Sequence, residues 1–347
     1  MLIIDSHLDL SWNAVGWNRD LTRTIAEIRA AEAGLDEKGR GRNTVSLPEM
    51  RRSEMVVCLA TVLARANPEG KSSIDFRNQE IAYAMSQGQL AYYRILEEEG
   101  QLRRLTGRNA LDAHLRQWPD APPGYILAME GADPIVCPGQ LPQWFEAGLR
   151  VIGLAHHGPS AYAHGTGSAG GLFPQGRELL KAMEDLGVVL DATHLADASF
   201  WEALEAFRGP VLASHNNCRA LVPGDRQFSD DQIRALVERD AVIGVAFDAW
   251  MLRPDWTLES QAADPVPLEA AADHIDHICQ VAGNARHAAI GSDLDGGYGT
   301  EQTPAGLDTI ADLQKIPNML RRRGYTEPDI EAVMHGNWIR FFRRVLA

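Results

Sequence analysis

The sequence predicts an α/β protein built as a (β/α)8 barrel, the TIM-barrel architecture, and three observations carry that expectation. Eight short, nearly continuous apolar runs occur along the 347 residues, amphipathic segments separate most of them, and imidazoles or carboxylates stand at the ends of six runs. Apolar strands alternating with helices imply a parallel sheet covered on both faces. Eight such units suit a closed barrel. A doubly wound open sheet is the rival, and it would favour a Gly-rich phosphate turn after an early strand, where this chain has none.

Taken in order, the strand candidates are LIID (2–5), MVVCLATVL (55–63), GYILAME (124–130), VIGLAH (151–156), VVLDATH (188–194), PVLASH (210–215), AVIGVAF (241–247) and AAIGSD (288–293). Among the helices, 177–187 repeats Leu179, Leu180, Met183 and Leu186 at helical spacing and stops at Gly187. Segment 229–240 starts acidic after Ser229, and 326–346 opens with Thr326 and Asp329 spaced as a capping box. The stretch 64–123 is too long for one crossover helix and is expected to hold two or more. No repeat, Pro-rich linker or compositional break divides the chain, so 1–347 reads as one domain with a helical insertion around 64–123.

Composition narrows the function classes. With 45% hydrophobic and 23% charged residues the chain is ordinarily globular, which excludes disordered and fibrous readings. The 33 basic against 47 acidic residues give −14, a balance that repels phosphate backbones and anionic headgroups, so neither nucleic acid nor membrane is an expected partner. Four scattered cysteines, with no Cys-x-x-Cys, read as reduced, buried thiols. MLIIDSHLDL has no basic region followed by a long apolar one, and no run approaches roughly 18 apolar residues. The expected location is the cytoplasm.

Catalytic groups of barrels gather at the carboxyl ends of strands. Here that census gives His7 and Asp9 after strand one, Glu130 on strand three, His156 on four, His194 on five, His215 on six and Asp293 on eight. Buried ionisable groups are expensive unless paired or coordinated, so convergence on a cation is the economical explanation. His7 and Asp9, two apart on an extended segment, can chelate one ion. With Glu130, His194 and His215 they make five N/O ligands without sulfur, which suits Zn²⁺ and also permits Mn²⁺, Co²⁺ or Fe²⁺. Five exceed the usual three of one catalytic zinc. The surplus points to two ions roughly 3.5–4 Å apart, with Glu130 bridging, as in two-metal hydrolases. Of the other histidines, His157 reads as the idle neighbour of His156. His274 and His277 read as a solvated helix face, and His114, His164, His287 and His335 as surface or capping positions.

The segments MLIIDSHLDLSWNA, LAMEGAD, VIGLAHHGPS, GLFPQGRELLKAMEDLGVVLDATHL, PVLASHNN and IGSDLDG resemble, in order, the motifs of the membrane (renal) dipeptidase family, most faintly over 14–123. The resemblance implies a metal-dependent hydrolase barrel with a binuclear zinc site that cleaves dipeptides, often with a D-residue second. His7 and Asp9 match the family's His-x-Asp, Glu130 its bridging glutamate, and His194 and His215 its second-metal histidines. His156 matches its substrate-contacting histidine, Asp293 its acidic residue after strand eight, and Arg226 its arginine beyond the strand-six histidine. Arg219 lies nearby, and NNCRALVPGDRQ departs from the family's sequence, but counting from His215 favours Arg226. The signal peptide, bridging cysteines and lipid-anchor signal of animal members are not read here, so the chain resembles the soluble microbial kind, for which a homodimer is allowed.

The expected chemistry is attack of a metal-bridging hydroxide on the dipeptide carbonyl. His156 stabilises the oxyanion, Asp293 carries the proton to the leaving amine, and Arg226 clamps the C-terminal carboxylate. The run GTGSAGG (165–171) is expected to border the pocket. Two alternatives stand beside this. One is another binuclear hydrolase, acting on lactones, cyclic amides or phosphoesters, which commonly carries His-x-His on strand one and a carboxylated Lys as bridge. The other is a non-catalytic binding protein on the same fold.

Overall fold

Eight parallel strands surround a packed interior: β1 (Ile3–Leu8), β2 (Met55–Leu63), β3 (Gly124–Glu130), β4 (Leu149–Gly153), β5 (Val189–Asp191), β6 (Val211–Leu212), β7 (Ile243–Val245) and β8 (Ala288–Ile290). The computed structural model describes residues 1–346. In sheet order β7 pairs with β8, β8 with β1, and β1 through β6 follow in sequence. A parallel bridge between Ala213 and Ile243 joins the two ends, so the sheet closes as a (β/α)8 barrel. β1 to β3 are buried along their whole length, as expected of strands covered by helices outside and side chains inside.

The interior is tight where β6, β7, β8 and β1 meet. A Cβ on Gly244 or Gly291 would overlap the carbonyl oxygen of Ser214 and crowd the Ser6 hydroxyl, so glycine is what lets these backbones approach. Ser6 Oγ uses that space to donate to the carbonyls of Ser214 and Ile290.

The insertion carries helices Gln79–Glu98 and Arg108–Gln117. It also adds two elements not anticipated: Arg103–Arg104 extends the sheet beside β3, and Arg65–Ala66 pairs with Asp75–Phe76. The expected helix at 177–187 spans Pro174–Leu186 and ends at Gly187 with φ 72°, and Asp230–Glu238 is capped reciprocally by Ser229 and Gln232.

The final segment is helical without a gap from Glu327 to Val345 behind the expected Thr326–Asp329 capping box, and a π turn over Ala332–Gly336 within it was not anticipated. The later strands are also shorter than their apolar runs. His156, His194, His215 and Asp293 therefore stand on loops three residues beyond the end of their strands, not on the strands. The run 165–170 has the spacing G-x-G-x-x-G, yet it belongs to a long loop before Pro174–Leu186 that is bridged to His157 and Leu195. It is no tight strand-to-helix turn. Among the described residues no helix is long and apolar enough to cross a membrane.

Candidate metal centre and substrate cavity

Two buried carboxylates beneath the rim fix the loops that carry the predicted residues. Asp5 Oδ1 accepts the amides of His7, at 3.1 Å, and Ser292, at 2.8 Å, and so ties β1 to the residue before Asp293. Asp191 Oδ1 accepts the amides of Thr193 and Ser214, both at 3.0 Å, the residues that precede His194 and His215. His194 and Asp293 hold left-handed backbone, φ 66° and 58°. Such conformations cost about 1 kcal/mol or more outside glycine and persist where the surroundings impose them. The anchors under both loops supply that constraint.

The five predicted ligands converge above these anchors. Glu130 divides its oxygens: Oε1 lies 3.3 Å from Nε2 of both His194 and His215, and Oε2 lies 3.6 Å from His7 Nε2. Asp9 Oδ1 is 3.6 Å and Asp293 Oδ1 3.8 Å from the same His7 nitrogen. Asp9 precedes the helix Leu10–Trp17 without capping it, and instead receives the Thr61 hydroxyl. Groups His7, Glu130, His215 and His7, Asp9, Asp293 each bring ligand atoms close enough for one cation.

Hydroxyl groups meet the outer nitrogens of two of these rings. His194 Nδ1 meets Thr166 Oγ1 at 3.0 Å, and that hydroxyl donates to the His194 carbonyl. His215 Nδ1 meets Ser214 Oγ at 2.8 Å. In the tautomer that gives both Nδ1 protons to these hydroxyls, the two Nε2 lone pairs, 3.1 Å apart, are free for a cation. His7 Nε2 is buried with no hydrogen-bond partner. Opposed lone pairs, an orphaned nitrogen and a carboxylate shared between them are what a pair of cations would satisfy, so the donor set fits divalent metal.

The electrostatics agree in direction. Burial, with positive neighbours, pushes His194 and His215 well below the ordinary imidazole range and keeps both neutral. Burial opposes ionisation of Glu130, but the four imidazoles around it, His156 and His7 before His194 and His215, outweigh it and hold its carboxyl well below the usual range. Burial would depress His7 too, yet Glu130 and Asp9 raise it well above normal, an excess of negative charge beside one imidazole. Asp293 is pushed well up, first by burial and then by neighbouring carboxylates despite His7. His194 and His215 are thus neutral beside surplus carboxylate, as metal binding needs, and a cation would take the place of the proton that the carboxylates hold on His7.

A cavity of about 320 Å³ opens over this cluster, walled by Trp12, Leu63, Ile74, Trp250 and Met251 and lined by Asp9, Glu130, His156, His194, His215, Arg226 and Asp293. Arg226 is buried, held by Asn216 Oδ1 at 2.7 Å and the His215 carbonyl at 2.8 Å. Arg219 forks instead onto Asp197 at 2.7 and 2.9 Å, outside the cavity. His156 Nε2 stands 3.8 Å from Glu130 Oε1, with Arg65 at 3.5 Å from its Nδ1. A larger groove of about 850 Å³, lined by Arg42, Gln261 and Lys315 among others, contains none of these residues.

Several histidines behave differently from their sequence reading. His157 also lines the cavity, its ring 5.0 Å from that of His194. His274 is buried, accepting the Cys218 amide at 3.0 Å, and His277 pairs with Asp230 at 2.8 Å, so the pair is not a solvated face. His114 and His287 are buried against the carbonyls of Val56 and Ala241. The Gly-rich loop contributes Thr166 to His194 rather than a wall of the cavity. Sequence reasoning missed Lys38, Asp248, Trp250 and Gln302 at the cavity, because they lie in the loops with least pattern.

The sequence profile described as membrane dipeptidase, peptidase family M19, matches residues 1–347. The chain belongs to the membrane dipeptidase family. Among relatives of this family chain, a Klebsiella pneumoniae protein encoded in the pqqA 5′ region is 30% identical over 233 residues, 63% of this chain and 83% of that one. The dipeptidase tcpJ of Claviceps purpurea is 29% identical over 205 residues, 57% of this chain and 45% of its own, so the match spans about half that relative's length. A metallopeptidase from Rhodobacter sphaeroides, solved with a phosphinate mimic of L-Ala-D-Ala, shares the fold with TM-score 0.80 and 21% identity, covering 99% of each chain.

Proposed function

We propose that the chain is a metal-dependent dipeptidase that hydrolyses free dipeptides, L-Xaa-D-Xaa among them, with two divalent cations, zinc first, held by His7, Asp9, Glu130, His194 and His215. The division of the Glu130 oxygens between His7 and the His194–His215 pair carries this reading. Family membership supports the activity, and the dipeptide mimic in the R. sphaeroides barrel supports the stereochemistry.

When bound, the cations supply Lewis acidity, acidifying a water and polarising a carbonyl. The chain's own groups do the rest. Arg226, with two N–H groups anchored, has others free to receive the C-terminal carboxylate in a fork. That clamp selects a free carboxylate one residue beyond the scissile bond. Arg65 beside His156 Nδ1 leaves the Nε2 proton of His156 to donate to the carbonyl oxygen as charge develops. Asp293 takes the proton of the attacking water and returns it to the departing amine. The apolar wall of Trp12, Ile74 and Trp250 keeps bulk water from the bond. The reading takes 1–347 as one catalytic unit in the cytoplasm, which the four free cysteines, three of them buried, support.

A panel of L-Ala-D-Ala, L-Ala-L-Ala, a lactone and a phosphoester, run on metal-loaded protein, tests it. Turnover of the dipeptides alone is expected. Turnover of lactone or phosphoester without dipeptide would install another binuclear hydrolase in its place, and binding without turnover a non-catalytic role.

A further inference from the structure

Asp248 stands three residues beyond β7 and lines the cavity, yet the chemistry above gives it no task. It is 5% exposed. Its Oδ1 is held by Gln302 Nε2 at 2.6 Å and, less directly, by the Trp250 amide at 3.4 Å. Among the described residues Oδ2 accepts no hydrogen bond, and no Lys, Arg or His forms an ion pair with Asp248. Lys38 lines the same cavity and its charge favours the Asp248 carboxylate, but its side chain is exposed and makes no ion pair with Asp248. A nearly buried carboxylate with one oxygen free is costly unless a cation arrives to meet it.

The barrel order says which part of a dipeptide arrives there. Asp248 follows β7, between the β6 loop that carries Arg226 and the β8 loop that carries Asp293. A substrate whose C-terminal carboxylate lies on Arg226 has the side chain of that same second residue next to the clamp. A neutral or acidic side chain would leave the nearly buried Asp248 carboxylate beside the substrate's own, with only the exposed Lys38 to offset it. A side chain ending in a cation resolves that excess, and Trp250 and Met251 beside Asp248 give its aliphatic stem an apolar wall. We infer that Asp248 is a specificity-determining residue that favours dipeptides whose second residue carries an amino or guanidino group. The inference rests on the dipeptidase reading and narrows its substrate class.

The substrate's α-ammonium offers the same chemistry, so the test must separate the two. We would measure kcat/KM for Ala-Lys and Ala-norleucine, with either configuration at the second residue, using wild type, Asp248→Asn and Asp248→Glu. Wild type is expected to favour lysine by about tenfold or more, Asp248→Asn to bring the ratio near one, and Asp248→Glu to restore part of it. A wild-type ratio near one overturns the inference. So does a ratio unchanged in Asp248→Asn, or an equal fall on both substrates, which would assign Asp248 to the α-ammonium. If wild type hydrolyses neither dipeptide the dipeptidase reading fails instead. Calorimetric binding of Ala-Lys against Ala-norleucine to the wild-type protein then decides on Asp248, tighter lysine binding supporting it and equal binding overturning it.

Discussion

The heaviest local demand falls on His194, which holds left-handed backbone, gives Nδ1 to Thr166 and turns Nε2 onto both Glu130 and His215. Its orientation depends on a hydroxyl, and outer partners of this kind are worth about 10–100-fold in metal affinity. Thr166→Val should therefore weaken binding of one cation by that order, read by titration of the metal-free protein, with little change in thermal stability. A second residue-scale prediction concerns Arg226: Arg226→Ala should raise KM for dipeptides far more than for the matching dipeptide amides, and an equal rise on both would remove the clamp. The histidines and carboxylates themselves were legible in the sequence because they stand where apolar runs end. Asp5, Asp191 and Ser214 were not, because their role is to bind backbone amides and ring nitrogens of loops distant in sequence, which no local pattern records.

The elements show the same division. All eight strands were legible as apolar runs, but the runs overstate the ladders, since residues such as Leu154 and Ala155 remain buried after strand pairing has ended. Two helix starts were legible from their caps, at Ser229 and Thr326. Ser229→Ala, which removes one half of the Ser229–Gln232 box, should cost about 1 kcal/mol in chemical denaturation. The π turn at Ala332–Gly336 and the burial of His274 come from packing and left no periodic signature. Packing also makes Gly291 immovable: Gly291→Ala forces a methyl against the Ser214 carbonyl and should destabilise the barrel by about 1–3 kcal/mol or more, whereas a neutral result would mean that β6 and β8 can part freely.

Over the whole molecule, distant loops are tied across the cavity by buried carboxylates, and one of them gives stability a pH dependence. Asp133 accepts the amides of Ala66 and Ala161, both at 2.8 Å, and burial pushes its carboxyl up to about 6 despite those bonds. An acid raised above its unfolded value binds its proton more tightly when folded, so its contribution is present in full below about pH 4 and is lost as pH rises through about 6. Denaturation of wild type against Asp133→Asn between those limits should show the difference, with wild type losing ground as pH rises. The barrel as a whole was legible from alternation and from where ionisable residues fall, whereas the cavity walls supplied by 64–123 and 248–270 were not, since loops carry no period. In the proposed centre five side chains divide between two cations across Glu130, and counting metal tests that division most directly. Protein stripped by chelator and titrated with zinc should bind about two equivalents and regain dipeptide hydrolysis as they bind, with Glu130→Gln losing the pair. Full hydrolysis by the metal-free protein, or saturation at one equivalent with full activity, would contradict it.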